Sequence, residues 1–258
     1  MKIRFCLFVL LVASPDLRAQ DMPLSQILIP GENWKKVDGT FKPIRYLTSY
    51  EPDVVNVWDD KMKLQGTINP KEMRVKTLTD YIPLQPDRFS WENGITLVLD
   101  RKNRAVRFER ENPNELVNEV KLPFAEPGAM WITNDRATVL IGDAASNHIW
   151  SYRIDAKGLA AGEKYMTLRL KKGTIRAETS DIRTDPLGRI FAATIEGIQI
   201  FDPTGRLCGV LLNPSNERVT TICFGGEKGD LLFIACGKEI YYRRLSTPWA
   251  YFKTAEKK

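Results

Sequence analysis

The sequence predicts an all-β protein and, within that class, a β-propeller. Three observations carry the prediction. Short strand-forming runs recur in units of similar length, Gly, Asp and Asn turns punctuate each unit, and no stretch sustains a helical apolar period. The units open at Asn93, Gly128, Asp181 and Thr221, spaced by 35, 53 and 40 residues. Repeats of roughly 40 to 50 residues built from short strands fit propeller blades, whose radial sheets expose only short edges. A sandwich also accommodates short strands at regular intervals and stays as the alternative, with the repeat favouring the propeller.

The elements follow in chain order. Lys2 and Arg4 precede a nine-residue apolar run at 5–13 (FCLFVLLVA), Ser14-Pro15 breaks it, and Ala19 offers a small residue before Gln20. This is the pattern of a secretory signal peptide over 1–19, and the run is too short to span a bilayer. The expected destination is secreted or periplasmic. A propeller domain is expected over 20–247, followed by a tail at 248–258. Residues 54–64 (VVNVWDDKMKL) form a degenerate unit. The unit from Asn93 reads ITLVL, the turn DRKNR, then AVRF. The next three read AMWI, TVLIGDA and HIWSYRI; IRT, RIFAAT and GIQIFD; TICF, LLFIAC and EIYYRRL. Each is strand, tight turn, strand, short turn, strand, rich in β-branched and aromatic residues.

Composition narrows the chemistry. The 258 residues are 43% hydrophobic and 27% charged, ordinary for a globular chain. Loss of residues 1–19 removes Lys2, Arg4 and Arg18 against Asp16, taking the formal net charge from +6 to +4. The basic pairs are scattered, so no nucleic-acid partner is expected. His148 is the only histidine, which rules out a multi-histidine zinc cluster. It sits at a strand start and reads as a surface or hydrogen-bonded residue. Cys208, Cys223 and Cys236 leave two readings open, one disulfide with a free thiol or three thiols on strands. The six tryptophans read as packing and Asp59-Asp60 as a solvated turn. No GxGxxG, P-loop, GxSxG or HExxH occurs.

Residues 176–245 resemble the last two blades of the gluconolactonase and senescence-marker-protein (regucalcin) family. The run SDIRTDPLGRIFAATIEGIQIFDPTGRLCGVL is similar to that family's A-D-G blade followed by G-I-Q-V-F-D-P-x-G-R, and TTICFGGEKGDLLFIACGKEIYYRRL to its closing F-G-G blade. The run GAMWITNDRATVLIGDAASNHIWSYRIDAKGLAAGEKY resembles an N-G-V-x-L-S-P-D blade, and PLSQILIPGENWKKVDGTF looks like the opening of secreted bacterial members. Residues 42–92 match poorly. The resemblance implies a six-bladed propeller with a shortened or degenerate N-terminal part, five blades being the alternative in view of only 239 residues after residue 19. It also implies lactone hydrolysis, in which a divalent cation (calcium or zinc) held by oxygen ligands polarises the lactone carbonyl and activates water.

Residue by residue, the ligands do not carry over. Ser180 stands at the metal-binding Asp of A-D-G, Pro127 stands at the Asn of P-N-G, and no E-G-P occurs. Asn93 matches a second-blade Asn near the substrate. A displaced site would draw on Glu126, Glu178, Asn93 and Asp181, with Asp181 as the base, provided that a bulge re-aims it. Two functions therefore stand open: a metal-dependent sugar-lactone hydrolase, needing the cation, or a catalytically silent propeller, needing no cofactor, that binds a sugar, another small ligand or a protein.

Overall fold

The computed structural model describes residues 24–51, 53–76, 87–91, 94–110, 115–155, 158–160 and 162–246. The expected leader, the tail and Asn93 lie outside these residues. After a 3-10 turn at Leu24–Gln26, strand β1 (Lys35–Lys36) stands alone in sequence. Blade 1 comprises β2 (Ile44–Glu51), β3 (Val54–Asp59), β4 (Leu64–Asn69) and β5 (Arg74–Lys76). Blade 2 holds β6 (Arg88–Ser90), β7 (Ile95–Asp100), β8 (Ala105–Arg110) and β9 (Leu116–Lys121). Blade 3 holds β10 (Pro127–Ile132), β11 (Thr138–Asp143), β12 (His148–Asp155), the short β13 (Gly158–Leu159) and β14 (Glu163–Thr167). Blade 4 holds β15 (Asp181–Thr184), β16 (Ile190–Thr194), β17 (Gly197–Phe201) and β18 (Leu207–Leu211). Blade 5 holds β19 (Val219–Gly225), β20 (Leu231–Cys236) and β21 (Glu239–Arg244), and β1 supplies its outer strand.

The described residues thus form an all-β, five-bladed propeller of antiparallel meanders. Five blades, not the six of the resemblance, is the count reached. The first and last described segments meet in blade 5, where Lys35 opposes Tyr242, Leu28 bridges Leu245, and the Ser246 amide donates to the Ile27 carbonyl at 2.9 Å.

Aspartates close the turns. Asp59 Oδ1 accepts the amides of Lys61 and Lys63, Asp185 Oδ1 those of Leu187 and Arg189, and Asp202 Oδ1 those of Thr204 and Arg206. A side chain that satisfies the amides of its own turn fixes the reversal locally. The strands β16 and β20, buried at every position, read as nearly unbroken apolar runs because both their faces pack on other strands.

Four apolar clusters lie between blades: 4 with 5 (Phe191, Ile198, Phe224, Ile234), 5 with 1 (Val55, Val57, Phe233, Ile240), 2 with 3 (Leu97, Phe108, Met130, Ile141) and 3 with 4 (Leu140, Ile149, Ile182, Phe201). Among the described residues no such cluster joins blade 1 to blade 2. A concavity of about 650 Å³ lies on blade 1, lined by Asn56, Thr67, Asn69 and Val75 among others, all from that blade. The three cysteines in the described blades are free thiols, which settles the open pairing. No described helix is long and apolar enough to cross a membrane.

Candidate functional site at the channel mouth

The first strand of each blade lines the axis, so the first residues of β2, β10, β15 and β19 surround the channel mouth. Three of these strands begin irregularly. In β2, Ile44 opposes Asp59 and Tyr46 opposes Trp58, which leaves Arg45 as an extra residue; β10 and β19 shift register between Pro127 and Met130 and between Val219 and Thr221. A bulge breaks the two-residue alternation and re-aims side chains. At β2 it brings neighbours together that a regular strand would hold apart, with the Arg45 guanidinium 5.1 Å from the centre of the Tyr46 ring.

Tyr46 belongs to blade 1, yet its hydroxyl feels Asp87 and Arg101 of blade 2 and Asp181 of blade 4, as well as Arg45. A phenol within reach of both blades lies at the axis. Burial, the largest influence, pushes its pKa above the usual tyrosine value while Arg45 pulls the other way, so the hydroxyl is a neutral donor at neutral pH.

Two further arginines face this region, each already committed. Arg101 grips Asp87 bidentately, Nη2 to Oδ1 at 2.7 Å and Nε to Oδ2 at 3.1 Å, and its Nη1 donates to the carbonyls of Pro127, at 2.6 Å, and Gly128. Arg183 donates to Asp181 Oδ1 and lies 4.4 Å from the centre of the Trp131 ring. Trp131 Nε1 in turn donates to Thr184 Oγ1 at 2.9 Å, tying blade 3 to blade 4. Among the described residues Arg45 has no carboxylate partner.

Asp181 sits on β15, whose pairing with β16 runs in regular register from Asp181 opposite Ala193 to Thr184 opposite Ile190, so no bulge re-aims it. Its carboxylate is buried and fully used. Oδ2 accepts Thr221 Oγ1 at 2.7 Å and the Ile222 amide at 2.8 Å; Oδ1 accepts the Ile182 amide at 2.8 Å and Arg183. Burial pushes this carboxyl's pKa up, opposed by Arg183 and the donors. Ser180 Oγ donates to the Val219 carbonyl at 2.7 Å. Pro127 begins β10, and the glycine after it packs tightly: a Cβ on Gly128 would stand 2.7 Å from the Thr179 carbonyl oxygen.

Glu126 and Glu178 lie at the rim. Glu126 pairs with Arg176, which draws its carboxyl below the usual range, and Glu178 pairs with Arg218. Arg176 also feels Glu178, so these two glutamates share a neighbourhood, but Asp181 does not join them in a common donor set. Among the described residues no group of three or more His, Cys, Asp or Glu could hold a metal ion. Among the described residues the three candidate carboxylates are each engaged by an arginine: Glu126 by Arg176, Glu178 by Arg218 and Asp181 by Arg183. Arg45, Tyr46, Arg101 and Arg183 went unremarked in the sequence reading. The signal was there in IRYL, where a charged residue and an aromatic stand adjacent in a strand and break its alternation.

The described residues form a five-bladed propeller with arginines and aromatic rings at its channel mouth. Residues 85–238 match the model of the SMP-30/gluconolactonase/LRE-like region, and the chain belongs to that family. It is 27% identical over 149 residues to the gluconolactonase of Zymomonas mobilis, a match covering 54% of this chain and 40% of that relative, so the chain matches well under half of the relative's length. Among solved structures, a gluconolactonase of Xanthomonas campestris superposes with a TM-score of 0.61 at 12% identity, covering 86% of this chain and 92% of that one. A calcium-binding regucalcin of Agrobacterium tumefaciens gives a TM-score of 0.56 at 9% identity, covering 83% and 96%. At these identities the structures speak for the fold alone.

Proposed function

We propose that this chain is an exported propeller that binds a small polyhydroxylated molecule of the sugar-lactone and sugar-acid class at its channel mouth, without the family's metal-activated water. The observation that carries the reading is the fate of the carboxylates: Glu126, Glu178 and Asp181 are taken by Arg176, Arg218 and Arg183. Pro127 offers no side-chain ligand, and its carbonyl is bound by the Arg101 guanidinium. Arginine thus collects oxygen atoms where the resemblance would place a cation, and an arginine stays charged at any physiological pH. On this reading Asp181 is a clasp between blades 4 and 5, not a base. The sugar class comes from the family and from the named activity of the Zymomonas relative.

Calorimetry of the chelator-treated mature chain with calcium and with zinc, beside hydrolysis of glucono-δ-lactone above background, tests the proposal. The expected result is no stoichiometric metal binding and no metal-dependent turnover. Turnover that requires calcium or zinc and disappears in Asp181→Asn, with the fold intact by circular dichroism, would establish the lactonase instead.

A further inference from the structure

Resting on that reading, we infer that the channel mouth selects ligands bearing a carboxylate, sugar acids before neutral sugars, and that Arg45 and the Tyr46 hydroxyl take the carboxylate. The charges that reach the Tyr46 hydroxyl are those of two arginines, Arg45 and Arg101, and two aspartates, Asp87 and Asp181. Both aspartates are neutralised at contact distance, Asp87 by Arg101 and Asp181 by Arg183. The surplus positive charge is that of Arg45.

The geometry is suited to use that charge. The bulge turns Arg45 onto the face of Tyr46, where cation–π attraction holds the guanidinium plane, while its N–H groups keep no carboxylate among the described residues. A guanidinium held this way presents a planar fork that matches a carboxylate bidentately. The Tyr46 hydroxyl donates to and accepts from no described residue, and being neutral it donates to an anion. A neutral sugar hydroxyl would waste the charge. The position also matters: Tyr46 lies within reach of Asp87 and Arg101 across the junction of blades 1 and 2, which no described apolar cluster fills. An anion seated there adds a contact where the ring has fewest.

The test compares gluconate with sorbitol, which differ by a carboxylate against a hydroxymethyl group, with acetate and inorganic phosphate as bare anions. Calorimetry on the mature chain should give gluconate at least about tenfold tighter than sorbitol, weakening with added salt, and a raised thermal midpoint. Arg45→Gln should lower gluconate affinity about tenfold or more while leaving the ligand-free unfolding midpoint unchanged, and Arg45→Lys should recover part of the loss. Equal binding of gluconate and sorbitol overturns the inference, as does native affinity in Arg45→Gln or no binding of any probe. Phosphate binding in preference to gluconate overturns the sugar-acid assignment. Metal-dependent lactone turnover sinks the preceding section's reading while leaving the Arg45 comparison to be decided by its own variants.

Discussion

The arc that runs from blade 3 through blades 4 and 5 into blade 1 is sealed twice, whereas the junction between blades 1 and 2 is not. Along the arc each junction has an apolar cluster and a polar tie near the axis: Trp131 to Thr184, Asp181 to Thr221 and Ile222, and the Leu47 amide to Thr221 Oγ1 at 3.2 Å. Blades 2 and 3 are tied by Arg101 and by Arg136 Nη2, which donates to the Ser90 carbonyl at 2.6 Å. Between blades 1 and 2 no described residues form a cluster or a hydrogen bond; what reaches across is charge, from Asp87 and Arg101 to Tyr46. Packing and spare bonding capacity are thus placed apart. The arc carries the fold, and the side chains with spare bonding capacity gather beside the junction.

The largest expected effect lies on the arc. Phe191 is buried and meets Phe224 edge to face at 5.1 Å between blades 4 and 5. Phe191→Ala should cost about 3–5 kcal/mol in urea denaturation, whereas Val117→Ala on the exposed outer strand of blade 2 should stay within about 0.5 kcal/mol. Comparable losses at both positions would break the comparison.

Next comes Arg183→Ala, which strands the buried Asp181 carboxylate between blades 4 and 5. A loss of about 3 kcal/mol is expected, as for other buried pairs deprived of one partner, and Asp181→Asn in the same chain should recover much of it.

A smaller effect concerns rates of thiol labelling. Burial pushes Cys223 up to about 12 and Cys236 up to about 11, so iodoacetamide at mildly alkaline pH should modify the half-buried Cys208 and spare both of these, as read by peptide mass spectrometry. In mild denaturant Cys223, whose cluster includes blade 1, should become reactive before Cys236, which lies between blades 4 and 5. The reverse order would place the weak region elsewhere.

The smallest effect is one of pH. The Asn103 amide and side chain, in that order, hold the Asp100 carboxyl below its usual value in the folded chain. The unfolded chain therefore takes up the proton first, and the stabilisation is present above the ordinary carboxylate pKa and lost as pH falls through the folded value. Thermal midpoints between about pH 5 and about pH 3 should fall less steeply in Asp100→Asn than in the native chain.

The blades were legible in the sequence because their second and third strands are apolar on both faces: RIFAAT, GIQIFD and LLFIAC became β16, β17 and β20. The outer strands were missed for the opposite reason. The strands β5, β9, β14 and β18 carry at most one buried position each, so no alternation marks them. Blade 2 was read one strand out of phase, with ITLVL taken as its first strand; the true first strand, β6, is three residues long with none of them buried. Of the site, Pro127 and Ser180 stand out only through the family resemblance, at the positions where its motifs place an Asn and an Asp. The pairing of each carboxylate with an arginine was not, since Glu126 and Arg176 are separated by 50 residues and Glu178 and Arg218 by 40. Such pairs form only when neighbouring blades are laid side by side.

The clasp of β1 onto β21 sets the order in which the molecule can be finished. Lys35 meets Tyr242 about 200 residues later, so the strand made first waits for the strand made last. At a synthesis rate of roughly 5–20 residues per second, that wait lasts on the order of ten seconds or more. During it the outer edge of blade 5 does not exist, and Ile27, buried in the cluster between blades 4 and 5, has nothing to pack against. Loss of β1 or of β21 opens the same blade, so the first and last described strands guard one joint.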